Sequence, residues 1–147
     1  MTTWTKRMLG GAALACLTLA SWPAGATGYS LFSVRGSYGY TLEGTVGDDA
    51  TSYVEAGRIV ADGSGRLTTE GTAIVGGTNV IATSFACTYT VSRTGILEAT
   101  CTAGRSRAQF RGPIVDGGRE LSFVAIPQDG SPESLVGRAR KQSNSPF

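Results

Sequence analysis

Between about residue 31 and residue 141 the sequence alternates apolar and polar residues, interrupted by short glycine-bearing turns. A period of two belongs to half-buried β-strands, and no helix-period segment stands out after residue 27. The first segment shows the pattern plainly. Phe32, Val34, Gly36, Tyr38, Tyr40 and Leu42 share one face, while Ser33, Arg35, Ser37, Gly39, Thr41 and Glu43 share the other. A one-residue slip would turn the apolar face outward, so the turns between segments must agree on one register.

They do. Arg93-Thr94-Gly95 has the form of a three-residue hairpin loop with Gly in the left-handed position. Folding about Thr94 sets Val91 against Leu97, Tyr89 against Ala99 and Cys87 against Cys101. Cysteines directly opposed on antiparallel strands are close enough to bridge, which predicts a Cys87–Cys101 disulfide. Gly104-Arg105 as a two-residue turn pairs Cys101 with Ala108, and Gly117-Gly118 pairs Ile114 with Leu121 and Phe110 with Ala125. Gly63-Ser64-Gly65 pairs Ala61 with Leu67, and Gly76 to Thr78 pairs Ala73 with Ile81. Every hairpin shares one apolar face.

The expected strands cover roughly 31–46, 54–62, 66–75, 79–92, 95–103, 106–115, 119–127 and 133–141. Eight consecutive strands with short loops form a meander that can bury its apolar face by closing on itself. The fold expected is therefore an all-β, single eight-stranded antiparallel up-and-down barrel, with a two-sheet sandwich as the alternative. Leu135, Gly137 and Ala139 on the last strand face inward for closure onto the first. An outer-membrane barrel fits poorly. Arg and Glu are mixed on the face opposite the aromatics without an aromatic girdle, and Pro146 and the polar run before it spoil a terminal membrane strand.

Residues 1–26 read as a signal peptide. Lys6 and Arg7 form its basic start, Met8 to Ala20 an apolar run too short to span a bilayer, and Ala24-Gly25-Ala26 a small-x-small cleavage site. The expected organisation is a leader over 1–26, a barrel domain over 27–141 and a disordered tail over 142–147. Such a chain is exported, periplasmic or extracellular; a lipid anchor on Cys16 is the alternative. Three cysteines become two without the leader, an even count that suits a disulfide in an oxidising compartment. Thirteen Lys+Arg stand against 11 Asp+Glu; losing Lys6 and Arg7 leaves 11 of each sign and no net charge. That balance excludes a strongly basic nucleic-acid binder. No integral membrane span is expected in the mature chain.

The sequence has no His, which removes the usual general base and the commonest metal ligand. No Gly-x-Ser-x-Gly elbow, Walker loop or metal-spaced Cys cluster is present. Neither a cofactor nor a metal is expected. Asp62-Gly63-Ser64-Gly65 reads as a β-turn rather than a calcium loop, and Asp48-Asp49 as a solvated loop. Arg105, Arg107, Arg111, Arg138, Arg140 and Lys141 fall on outward positions, where charge keeps sheets from aggregating.

What remains is the inner face. Tyr38, Tyr40, Phe85, Tyr89, Phe110 and Phe123, interspersed with Gly and Ala, either interdigitate to fill the barrel or line an apolar pocket in which Tyr hydroxyls orient a ligand. Glu55 is the one carboxylate whose alternation with Gly57 and Ile59 points inward, where it would anchor a ligand or act as an acid. The plainer expectation is a bulge, or a strand that begins later, leaving Glu55 in solvent. The expected function is non-enzymatic binding of a small hydrophobic ligand, which requires a cavity above about 300 Å³. An envelope structural or protein-interaction module and a cyclase- or isomerase-like enzyme using Glu55 and a Tyr are the alternatives.

Gly36-Ser37-Tyr38-Gly39-Tyr40, Asp62-Gly63-Ser64-Gly65-Arg66-Leu67-Thr68, Cys87-Thr88-Tyr89-Thr90-Val91 and Gly95-Ile96-Leu97 together resemble a group of small exported bacterial proteins with calycin-like or allene-oxide-cyclase-like barrels. The resemblance spans about residues 31 to 141 and rests on turn and strand grammar. It implies a barrel with ligand binding and transfers no catalytic residue.

Overall fold

The computed structural model describes residues 28–128 and 132–142. The expected leader, with Cys16, and residues 143–147 of the expected tail lie outside them. Eight strands follow one another: β1 (Arg35–Val46), β2 (Thr51–Asp62), β3 (Arg66–Val75), β4 (Asn79–Val91), β5 (Ile96–Ala103), β6 (Ser106–Val115), β7 (Glu120–Ile126) and β8 (Ser134–Lys141). Each pairs antiparallel with the next, and β8 returns to β1 through Tyr40↔Ala139 and Leu42↔Gly137, closing the barrel. Closure leaves the apolar face inside. Tyr38, Leu42, Ile59, Leu67, Leu97, Ile114, Leu121 and Leu135 are among its buried residues. The outer face carries three ion pairs, Arg58–Glu70, Arg111–Glu98 and Arg140–Glu120, alongside exposed Val54, Val60, Ile74, Val80, Val124 and Val136. No helix among the described residues is long and apolar enough to cross a membrane.

The hairpin registers match those read from the turns. Val91 pairs with Leu97, Cys101 with Ala108, Ile114 with Leu121, Ala61 with Leu67 and Ala73 with Ile81. Cys87 and Cys101 are opposed with their Cα atoms 4.0 Å apart and form the disulfide, which is buried in the barrel wall.

The first strand differs from expectation. It begins at Arg35 because Leu31–Ser33 form a 3₁₀ turn, fixed by Ser33 N–H donating to Ser30 O at 2.9 Å and Ser30 N–H donating to Ser33 Oγ at 3.1 Å. Phe32 is thereby thrown off the inner face. It is 67 % exposed, with the Arg35 guanidinium 5.3 Å above its ring. The turn carries residues 28–34 across one end of the barrel. Tyr29 lies over Gly95, where an added Cβ would sit 2.6 Å from the ring, and Ser33 lies over Gly118. Tyr89 holds this cap by donating to Val34 O at 2.8 Å, and Tyr38 donates to Gly118 O at 2.8 Å in the turn between β6 and β7 on which Ser33 lies. At the C-terminal end, Gln142 N–H still donates to Ser37 O at 2.9 Å, so the ladder runs one residue into the segment expected to be disordered.

Candidate functional site

The second strand starts at Thr51, three residues before the expected position, after a turn over Gly47–Ala50 closed by an Ala50 N–H to Gly47 O bond of 3.1 Å. Alternation from there places Tyr53, Glu55, Gly57, Ile59 and Ala61 on the inside. Glu55 is only 4 % exposed, which corrects the expectation that a later strand start leaves it in solvent. It pairs with Leu42 on one side and Ala73 on the other, both buried.

Three hydroxyls converge on this carboxyl group. Tyr40 donates to Oε1 at 2.5 Å, Tyr53 donates to Oε2 at 2.7 Å, and Thr83 donates to Oε1 as well. They reach it from three strands because the row Tyr40, Gly57, Gly71, Thr83 is paired continuously across β1 to β4. Two glycines in the middle of that row leave the Tyr40 ring room to lie flat across β2 and β3. A Cβ on Gly57 would sit 2.8 Å from Tyr40 Cε1, and one on Gly71 would sit 2.7 Å from the Tyr40 hydroxyl oxygen and 3.0 Å from Glu55 Oε1. Burial raises the pKa of Tyr40 and of Tyr53 well above the usual 10.0, with the Glu55 hydrogen bond and charge adding to the rise; Glu133 adds further at Tyr53. Both phenols are therefore fixed as donors. None of the ion pairs among the described residues involves Glu55.

Beside this cluster lies an interior cavity of about 70 Å³, lined by Tyr40, Glu55 and Thr69 and otherwise mainly by Leu, Ile and Phe side chains. Of the expected ligand-binding residues, Tyr40, Glu55, Phe85, Phe110 and Phe123 line it together, whereas Tyr38 and Tyr89 do not and bond the β6–β7 turn and the cap instead. The cavity falls well short of the ~300 Å³ at which ordinary ligand pockets begin, and is about half the ~150 Å³ of an apolar cavity that admits benzene. Interdigitation accounts for the difference. The Phe123 ring occupies the space above Gly137, where a Cβ would meet Cε2 at 2.2 Å, and meets Phe110 edge to face at 5.8 Å between centroids. Large rings over glycines largely fill the barrel, as close packing requires. Phe85, Phe110 and Phe123 nevertheless keep partial exposure, unlike the buried residues around Tyr38.

Tyr53 and Thr83 are the members of the cluster that sequence reasoning did not single out. Thr83 carried a usable signal, its place on the inward face of β4. Tyr53 was hidden by the misplaced start of β2.

No protein-family model matches the chain, and comparison with curated proteins gives no match. Among solved structures, the chain is similar to a barrel from the de novo design of transmembrane β-barrels, at 12 % identity and a TM-score of 0.58 over 74 % of this chain and 97 % of that one. It is also similar to two redesigned β-barrels at 16 % identity. One is mFAP1, solved bound to DFHBI, with a TM-score of 0.51 over 76 % of this chain and 97 % of that one. The other is b11L5F_LGL, with a TM-score of 0.52 over 76 % and 94 %. At these identities the likeness establishes the β-barrel fold alone.

Proposed function

We propose that this protein is an exported, non-enzymatic barrel whose cavity beside Glu55 takes a guest of only about two or three non-hydrogen atoms; the interior cavity above about 300 Å³ that a hydrophobic ligand of ordinary size requires is not there among the described residues. The observation that carries the reading is a carboxyl group withdrawn from water, without a cationic partner among the described residues, on the wall of an apolar cavity. Withdrawing a polar group from water is costly, and a barrel that served only as a scaffold would pack better with a Leu at that position. Tyr40 and Tyr53, both donating to Glu55, hold the carboxyl group in a fixed orientation beside the cavity. Export is supported by the buried disulfide and the leader-like residues 1–26. The redesigned barrel solved with DFHBI lends the reading an analogy of fold only.

Cavity volume limits the ligand to a few non-hydrogen atoms inside the barrel. The test is an NMR titration of the mature protein with methanol. Saturable shifts at the Phe85, Phe110 and Phe123 rings, with the Tyr38 and Tyr89 rings unmoved, support the reading. Absence of saturable shifts at those three rings overturns it for a ligand of this size.

A second reading, self-association, rests on the edge of β4. Asn79–Phe85 pairs with β3, but β5 joins only from Ala86↔Thr102 onward. This stretch has no charge, Lys or Pro to guard its free edge, and Val80 on it is 64 % exposed. Two copies pairing antiparallel here would oppose no like charges. Sedimentation velocity of the wild type and Ala82→Lys tests it: a concentration-dependent dimer abolished by the Lys supports the pairing, and a wild-type monomer at all concentrations rejects it.

A further inference from the structure

We propose that the capped end of the barrel docks on an anionic lipid surface, with the Phe32 ring set among the headgroups and Arg35, Arg66, Arg93, Arg119 and Lys141 set against lipid phosphates. This inference is independent of the cavity reading above. The 11 cations and 11 carboxylates of residues 27–147 cancel in number but not in place. Strands alternate in direction around the closed barrel, so the start of β1, the end of β8 and the turns β2–β3, β4–β5 and β6–β7 all fall at the capped end. They bring six cations there, the five above and Arg140, against three carboxylates, Asp62, Asp116 and Glu120. The rest of the chain carries the opposite excess.

Pairing does not use up this charge. Arg140 is bonded to Glu120. Asp62, opposite Arg35 in the ladder, is committed to its own turn, accepting from Ser64 N–H at 2.7 Å, Ser64 Oγ at 2.6 Å and Arg66 N–H at 3.0 Å. Arg35, Arg66, Arg93, Arg119 and Lys141 are all exposed and make no ion pair among the described residues.

Phe32 supplies the apolar half of the contact. At 67 % exposure it is the most exposed large hydrophobic among the described residues, and the Arg35 guanidinium lies 5.3 Å above its ring. The turn that carries it is pinned on both sides, Leu31 beside Gly65 and Ser33 over Gly118, so the ring is held outward. An aromatic ring with a cation beside it suits a lipid interface, where apolar body and charged head each find their own medium. Residue 28, to which the leader-like residues 1–26 connect, lies beside Arg93. While such a leader holds the chain at a bilayer, the capped end is the end nearest to it. A nucleic acid offers the same negative charge but is held by several stacking rings, and this end has one exposed aromatic.

Each Arg or Lys held at an anionic surface contributes about a fivefold gain in affinity, which salt screens within a Debye length of ~10 Å at ~0.1 M. The experiment is flotation of the mature protein with phosphatidylglycerol vesicles and with phosphatidylcholine vesicles. The expected result is binding to phosphatidylglycerol alone, lost on raising the salt from about 0.05 M to about 0.5 M. Arg66→Gln with Arg93→Gln should weaken it about tenfold or more, and Arg105→Gln with Arg107→Gln, which removes the same charge from the opposite end, by less than about twofold. Phe32→Ala should weaken it about fivefold. If a variant fails to fold, spin-labelled phosphatidylglycerol in the vesicles carries the test in the unmutated protein: it should broaden the Phe32 ring and spare Ile81 at the far end. Failure to bind phosphatidylglycerol, equal losses in the two double variants, or broadening at Ile81 before Phe32 overturns the proposal. Binding to heparin as tight as to vesicles, with Phe32→Ala unchanged, also overturns it, replacing the lipid surface by any polyanion.

Discussion

Replacing Tyr40 by Phe removes one hydroxyl and leaves the ring in place over Gly57 and Gly71, so no cavity opens. What is lost is a 2.5 Å hydrogen bond to Glu55 Oε1 in a site where Glu55 is almost wholly buried. Hydrogen bonds to charged groups contribute ~1.5–3 kcal/mol, against ~0.5–1.5 kcal/mol for neutral pairs. Tyr40→Phe is therefore expected to destabilise the wild type by about 2 kcal/mol and the Glu55→Gln protein by only about 1 kcal/mol. The double-mutant cycle should return a coupling of about 1 kcal/mol between positions 40 and 55. Urea unfolding of the four mature proteins, with midpoints compared at a common slope, measures it. Additivity within ~0.5 kcal/mol would show that Tyr40 does not donate to a carboxylate at position 55, and the site as described would fall. Tyr53→Phe should cost less than Tyr40→Phe, because Tyr53 is only partly buried.

Other perturbations reach different parts of the account. Removing the disulfide with Cys87→Ala and Cys101→Ala opens a loop with a separation of 14 residues; chain entropy predicts a loss of ~3 kcal/mol, read as a fall of about 10 °C in Tm by circular dichroism. An unchanged Tm in the variant would remove the bridge from the account. Burial raises the pKa of Tyr38, Tyr40, Tyr53 and Tyr89 above the ordinary 10.0. The folded state thus holds protons that the unfolded chain releases, so this contribution to stability is whole below pH 10 and is lost as pH rises through the folded values. Near-ultraviolet phenolate absorbance from these four should appear together with loss of the far-ultraviolet signal; ionisation near pH 10 in an intact barrel would contradict their burial. Gly137→Ala should destabilise by ~1–3 kcal/mol by forcing the Phe123 ring into the cavity, and should abolish the methanol shifts. Retained shifts in that variant would place the ligand elsewhere.

Most of the barrel was legible in the sequence because two local signals constrain each other. Alternation says which residues share a face, and a glycine-bearing turn says which residues oppose; Arg93-Thr94-Gly95 thereby brought Cys87 opposite Cys101, as found. The failures occur where one of those signals is missing. Ala50 adopts a positive φ of 52° that nothing in its side chain announces, so the turn after β1 was read as longer than it is and Tyr53 was lost to the loop. With the turn closed at Ala50, the same alternation puts Tyr53 and Glu55 inside. Phe32 continued the apolar period on paper, but the Ser30 and Ser33 contacts end the strand and swing the chain across the barrel end. The roles of Tyr38 and Tyr89 depend on carbonyls 80 and 55 residues away, which no local pattern encodes. Cavity size was equally hidden, because it depends on how rings settle over glycines of neighbouring strands.

The most direct test of the interior site is a crystal structure of the mature protein soaked with methanol. The account predicts methanol in the cavity lined by Leu97, Leu121 and Phe123, with its hydroxyl toward the Glu55 cluster. A cavity that stays free of methanol while it occupies only the outer surface would contradict it.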